Sequence, residues 1–205
     1  MTSIVDVVVK LGGGLLAHAP YFDATLEAIK GAAGERRLLV VPGGGPFADT
    51  VRQVDRQIAL SDDAAHWMAV LAMDQYAHLV VSRLTGSVLV AEPGEIAAAV
   101  ASARLPVLAP FRWLRSADPL PHTWDVTSDS IAAWVAGAVG ARRLVLVKPP
   151  RLCQSPRSGA TGFGAGSPVR TEEVDAYFDR TLPTYVTPVI VSADRVDALR
   201  TALGG

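Results

Sequence analysis

Cysteine is nearly absent from this chain: Cys153 stands alone among 205 residues. No intrachain disulfide and no cysteine-based zinc site can form, and a reducing, cytoplasmic setting is the expectation. Charge is sparse as well. Charged residues make up 19% and nearly cancel, leaving a net −1. The basic footprint of a nucleic-acid binder is missing, so no nucleic-acid partner is expected. Long apolar runs are lacking too. None reaches the roughly 18 residues of a membrane span, and the apolar stretch before Lys10 is too short for a signal peptide, so no membrane partner is expected. The scarcest cation is lysine: of nineteen basic residues only Lys10, Lys30 and Lys148 are lysines. Lys30 lies in the last turn of a predicted helix, where a cation meets the carbonyl end of the dipole. Lys10 and Lys148 instead close apolar strands, where a point charge faces whatever binds at the strands' carboxyl ends. A strand-end lysine reaching for solvent is the plainer reading of Lys148.

Apolar residues are plentiful. Half of the residues are hydrophobic and mean hydropathy is +0.29, which fits a sheet buried on both faces and a homo-oligomer that hides further apolar surface. Short Val/Leu/Ile runs at Ile4–Val9, Leu38–Val41, Val88–Ala91, Pro106–Ala109, Leu144–Val147 and Pro188–Val191 read as strands. Helical patterns separate them at Asp23–Ala33, Phe47–Ile58, Asp62–Leu84, Glu95–Ala103, Asp129–Val139, Glu172–Arg180 and Ala193–Leu203. Such alternation predicts one α/β domain over residues 1–205: a three-layer α/β/α sandwich around a mostly parallel sheet. Pro110–Thr127 and Pro149–Pro168 read as loops. The second, bearing Arg151, Arg157 and several glycines, is either a flap over a nucleotide or a surface excursion. The four histidines read as ordinary.

Two strands end in triple glycine: Val7-Val8-Val9-Lys10-Leu11-Gly12-Gly13-Gly14 and Leu38-Leu39-Val40-Val41-Pro42-Gly43-Gly44-Gly45. Neither cluster matches G-x-x-x-x-G-K-[ST] or G-x-G-x-x-G. Consecutive glycines allow backbone N–H groups to converge on an anion, and the helix that follows adds its positive end. Two such loops could hold the donor and acceptor ends of a phosphoryl transfer. Tight turns at strand–helix corners are the alternative reading.

A third cluster, Asp125-Val126-Thr127-Ser128-Asp129-Ser130, precedes the apolar helix that leads to Lys148. One oxygen-bearing residue caps a helix; here five crowd into six positions. A carboxylate there could orient two lysines about a transferring phosphoryl group, which needs positioning and cations rather than covalent chemistry. Lys10, Asp129 and Lys148 are therefore the candidate catalytic residues, with Mg²⁺ bridging nucleotide phosphates. Gly43, Gly44, Gly45, Thr127 and Ser128 are candidates for an acceptor phosphate. Asp125, Asp62 and Asp63 are acids at helix entries, which they favour.

Together the three motifs resemble the amino acid kinase superfamily, which includes acetylglutamate, aspartate and uridylate kinases. The resemblance implies an ATP-dependent phosphotransferase of three-layer α/β/α fold, with Lys10, Gly12, Gly13, Gly14, Gly44 and Gly45 stabilising the transferred group and Asp129 organising the lysines. ATP then lies along Lys10, Gly12, Gly13, Gly14 and Lys148. The run from Leu120 to Trp134 further resembles the small branch that phosphorylates (5-(aminomethyl)furan-3-yl)methyl phosphate to its diphosphate in methanofuran-type cofactor synthesis. Such an acceptor carries an amine as well as a phosphate, so the resemblance implies that Asp125, Asp62 or Asp63 reads its ammonium unless all three merely cap helices. A nucleoside monophosphate kinase and a non-catalytic nucleotide-binding relative are the alternatives. The chain departs from most relatives after Lys148, where Pro149-Pro150-Arg151 replaces an Asp-Gly that shapes their nucleotide site.

Overall fold

The computed structural model describes residues 3–150 and 174–204. Among the described residues six strands form one sheet: β1 (Val7–Leu11), β2 (Leu38–Pro42), β3 (Ser87–Val90), β4 (Leu105–Leu108), β5 (Arg143–Lys148) and β6 (Thr187–Ser192). Their order is β3-β4-β2-β1-β5-β6, and every pairing is parallel. Parallel neighbours require crossovers, in which lie α1 (Ala19–Ala33), α2 (Gly45–Ile58), α3 (Asp62–Arg83), α4 (Pro93–Ala101), α5 (Phe111–Ala117), α6 (Ser128–Ala138) and α7 (Phe178–Thr181), while α8 (Val196–Gly204) follows β6. A short 3₁₀ turn at Gly13–Ala17 joins β1 to α1.

Alternate side chains of each strand enter opposite cores. Val8, Leu39, Val41, Leu144 and Leu146 pack with α4, α5 and α6 on one face. Val7, Val9, Leu38, Val40, Val145 and Val147 pack with α1 and α8 on the other. Helix α3 serves both, giving Val70 and Met73 to the first core and Tyr76, Ala77 and Val80 to the second. Burial on both sides of the sheet is why its strands read as continuous apolar runs rather than alternating ones.

All six expected strands form, with shifted ends. β1 starts at Val7 rather than Ile4 and continues through Lys10 to Leu11. Just before it, the Asp6 carboxylate receives the Arg37 backbone N–H at 3.0 Å and pairs with the Arg37 guanidinium at 2.5 Å, so it pins the entry of β1 against that of β2. The segment expected to be a loop from Pro110 to Thr127 contains α5, whose buried Leu114 joins the first core. Its two-turn length and flanking prolines concealed the helical period. Of the expected helix Glu172–Arg180, the described part is the single turn α7. The loop 151–168, Cys153 included, lies outside the described residues.

The strand order reverses at β1. From β1 the chain moves to β2 on one side, and from β5 to β6 on the other. Parallel sheets leave an open crevice above the carboxyl ends of the strands at such a reversal. Lys10 and Lys148 close the two strands that flank it.

Candidate active site

Period-two geometry aims both lysines the same way. Lys10 shares a face with Val8, and Lys148 shares one with Leu144 and Leu146, so both point toward α6. Asp129, the second residue of α6, waits there. Lys10 Nζ lies 2.8 Å from its Oδ1 and Lys148 Nζ lies 2.5 Å from its Oδ2. Lys10 and Asp129 are each only 4% exposed. The Lys148 contact is an aligned hydrogen bond, whereas Oδ1 is buried with an ionic partner but no aligned donor. Burial pulls the Asp129 carboxyl upward, and the charges of Lys10 and then Lys148 more than reverse this, leaving it below the ordinary carboxylate range. Burial, followed by repulsion from Lys10, holds the Lys148 ammonium below the ordinary lysine value, against the pull of Asp129. Two cations share one carboxylate, and the surplus positive charge suits an incoming anion.

The cap of α6 is a separate device. Thr127 occupies the N-cap and its hydroxyl accepts from the Asp129 N–H at a long 3.4 Å. The stronger anchor is Asp175. Its Oδ2 accepts the Thr127 N–H at 3.0 Å, the Thr127 hydroxyl at 2.7 Å and the Ser130 N–H at 3.0 Å. Its Oδ1 accepts the Ser130 hydroxyl and the Tyr177 N–H. With the start of α6 held from outside, the Asp129 side chain is free to face the lysines. Asp175 was not legible as part of this assembly: it lies 45 residues beyond Ser130 and carries no local motif.

The glycine loops interlock instead of standing apart. A Cβ on Gly13 would lie 2.4 Å from the Gly45 nitrogen, and Gly45 itself adopts φ +54°, which a side chain strains. The backbones can meet only because neither position has a side chain. The expectation that all six glycines offer free amides is corrected at two. Gly12 donates to Val147 O and Gly43 to Leu11 O, each at 2.8 Å, so both N–H groups extend the sheet. Gly13, Gly14, Gly44 and Gly45 open the two helical turns, where N–H groups lack intrahelical acceptors, and line a cavity of about 240 Å³.

That cavity lies between the glycine turns, α2, α3 and the segment 123–128. Thr127 and Ser128 line it, while Asp125 is exposed and absent from its wall. Of the other two carboxylates, Asp62 lines the cavity and Asp63 instead contacts His122. Asp49, Arg52, His66 and Trp124 also contribute to the lining. Arg52 bonds Asp49 at 2.9 Å, and its guanidinium stands 5.1 Å from the Trp124 ring centroid. The Trp124 indole N–H donates to Asp55 Oδ2 at 2.8 Å. The Asp49–Arg52 pair has the i,i+3 spacing of a helix face, whereas the Trp124 partnerships follow no sequence spacing that would have revealed them.

Among the described residues no cluster of three His, Cys, Asp or Glu side chains is placed to hold a metal ion, and no helix is long and apolar enough to cross a membrane.

A parallel sheet with glycine turns and a lysine–aspartate–lysine cluster above its carboxyl ends defines a three-layer α/β/α protein. The amino acid kinase family model matches residues 7–149, and the chain belongs to that family. It is 30% identical over 150 residues to the [5-(aminomethyl)furan-3-yl]methyl phosphate kinase of Methanocaldococcus jannaschii, an alignment covering 68% of this chain and 63% of that one. The chain thus matches somewhat less than two thirds of this relative's length. Two solved structures share the fold. Uridylate kinase from Archaeoglobus fulgidus superposes with TM-score 0.54 at 18% identity, over 70% of this chain and 62% of its own. UMP kinase from Ureaplasma parvum gives 0.56 at 14%, over 70% and 69%. Family membership and the kinase relative support a phosphotransferase.

Proposed function

We propose that this protein is an ATP-dependent kinase whose acceptor is itself a small phosphate monoester, (5-(aminomethyl)furan-3-yl)methyl phosphate, and whose product is the corresponding diphosphate. The buried Lys10–Asp129–Lys148 cluster, beside a cavity with a carboxylate in its wall, carries this reading. ATP supplies an activated phosphoryl group. Lys10 and Lys148 would hold its phosphate oxygens, along with the free amides of Gly13 and Gly14. The site suits such a polyanion because two ammonium groups flank Asp129, the one carboxylate in contact with both, while Asp175 is occupied by the donors at the start of α6. Since the described residues offer no ready-made metal cluster, Mg²⁺ would enter with the nucleotide, held mainly by phosphate oxygens.

Within that frame each side chain has a task. The Gly44 and Gly45 amides, with the Ser128 hydroxyl, hold the acceptor phosphate as its oxygen attacks, while Thr127, whose N–H and hydroxyl both donate to Asp175, fixes the start of α6 beside them. The two lysines meet the negative charge that grows on the transferring group, where preorganised cations act most strongly. Asp129 fixes both lysines in place. Asp62 reads the acceptor's ammonium group, a charged hydrogen bond that contributes about 1.5–3 kcal/mol.

The test is ADP release with Mg·ATP, measured with the aminomethylfuran phosphate, its deaminated analogue, uridine monophosphate and acetylglutamate. Wild type should strongly prefer the amine-bearing acceptor. Asp62→Asn should erase that preference and leave turnover of the deaminated analogue intact. Preferred turnover of uridine monophosphate would replace this acceptor with a nucleotide. ATP binding without turnover of any acceptor would overturn the kinase reading.

A further inference from the structure

Nothing in the proposed chemistry uses the histidines, yet two of them meet at the cavity wall. His122, between α5 and α6, stacks on His66 of α3 with ring centroids 4.1 Å apart and planes 17° from parallel. Trp67 meets the edges of both rings. The two nitrogens of His122 are both engaged: Nδ1 contacts Asp63 on α3, and Nε2 lies 2.8 Å from Asp118 at the end of α5. A neutral imidazole has one N–H, so it can donate to only one of these carboxylates; an imidazolium donates to both. Its exposure is 17%, low for a side chain that bears a charge.

We propose that His122 is a positioning residue for acceptor binding: as an imidazolium shared by Asp63 and Asp118, it fastens the cavity wall to α3 and holds His66 against it. The wall in question is the run from Thr123 to Ser128, joined to His122 by the peptide chain. Its own internal bonds are few: Thr123 N–H to Pro121 O at 3.1 Å and Val126 N–H to Thr123 O at 3.2 Å. Its other fastenings are Trp124 to Asp55 on α2 and Thr127 to Asp175. Val126 shares a core with Val70 and Met73 of α3, and His122 adds a polar link to α3, the helix that carries Asp62 and His66 into the same cavity.

The charges around the pair favour this assignment. Burial opposes charging His122, but the bonds to Asp63 and Asp118 win and raise its pKa. His66 moves the other way, to about 4, through burial and then the neighbouring His122. A neutral His66 thus stacks on a charged His122. The remaining facing cation is Arg115 of α5, whose guanidinium stands 4.7 Å from the Trp67 centroid. Because the folded pKa of His122 is raised, the clasp is complete below its ordinary value and is lost as pH rises through the folded one.

The structural part needs no substrate, and only its kinetic consequence rests on the kinase reading. The experiment is amide hydrogen exchange of the wild-type chain, His122→Ala and Asp118→Asn from pH 6 to 9, corrected for intrinsic exchange. His122→Ala should reduce protection at Thr123 and Val126 at least tenfold at pH 6, with Ile131 in α6 unchanged. Wild type should lose the same protection as His122, followed by its ring NMR signals, loses its proton. Asp118→Asn should shift that midpoint toward the ordinary histidine value. In the kinase assay the acceptor KM should rise several-fold in His122→Ala while KM for ATP and kcat hold. Equal protection in wild type and His122→Ala, or wild-type protection that ignores the histidine titration, would overturn the clasp. Intact exchange behaviour with no acceptor turnover would instead overturn the acceptor reading.

Discussion

Replacing Asp129 by Asn separates two accounts of this residue by their stability consequences. If Asp129 merely caps α6, Asn should serve equally well and neither stability nor turnover should move. In the structure the cap is Thr127, backed by Asp175, and the Asp129 carboxylate lies buried between two ammonium groups. Breaking a buried charge pair by removing one partner costs about 3–5 kcal/mol, because the remaining charge is left uncompensated. For a chain of this size each kcal/mol moves the Tm by about 2–4 °C, so Asp129→Asn should melt about 6–20 °C lower. The deficit should depend on pH with a definite sign. Burial and Lys10 already hold the Lys148 ammonium below its ordinary value, so the unfolded chain binds more protons in that range and stability rises with pH there. Without the carboxylate a lysine gives up its proton more readily, and the deficit should be larger at pH 6 than at pH 9. Inorganic triphosphate should restore more stability to the variant than to wild type, since it meets two uncompensated cations. Thermal melts across pH, with and without triphosphate, measure all three effects. A variant that melts with wild type at pH 6 would refute the buried-charge argument.

Lys10→Ala should lower kcat by two to three powers of ten, about 3–4 kcal/mol of transition-state stabilisation, and Lys10→Arg should do little better because a planar fork replaces a point charge poorly; steady-state ADP release checks both. Gly13→Ala places a methyl 2.4 Å from the Gly45 nitrogen and should both destabilise the protein and abolish turnover. Gly31→Ala on α1, with open space around it, should instead stabilise by about 0.5–1 kcal/mol; denaturant melts compare the pair. Asp175→Asn strips the charge from an acceptor of five bonds and should cost about 1–3 kcal/mol, with exchange at the Thr127 and Ser130 amides rising most.

Much of this molecule is written locally. Strands buried on both faces need no alternation, so their Val/Leu/Ile runs name the six strands directly, and the helices between them dictate parallel pairing. The rarity of lysine, together with strand-end position, picks out Lys10 and Lys148, and the surplus of oxygens before α6 picks out Asp129. That the two lysines share a face was settled only by the register of β5 against β1, which sets Lys10 opposite Leu146. What local pattern could not supply was anything requiring two distant segments to meet. The α5 turn was hidden by its shortness, and Asp175 reaches the start of α6 because the adjoining α7 packs against that helix. The fate of each glycine amide depends on which strand lies alongside: Gly12 and Gly43 spend theirs on the sheet, and Gly13 and Gly45 leave room for each other. Likewise, Asp62 rather than Asp125 enters the cavity because α3 packs along α2, and His66 meets His122 only when the segment after α5 folds over α3. Backbone propensity and burial are properties of neighbours in sequence; hydrogen-bond partners, desolvation and shared charge belong to neighbours in space, and the packed sheet alone decides those.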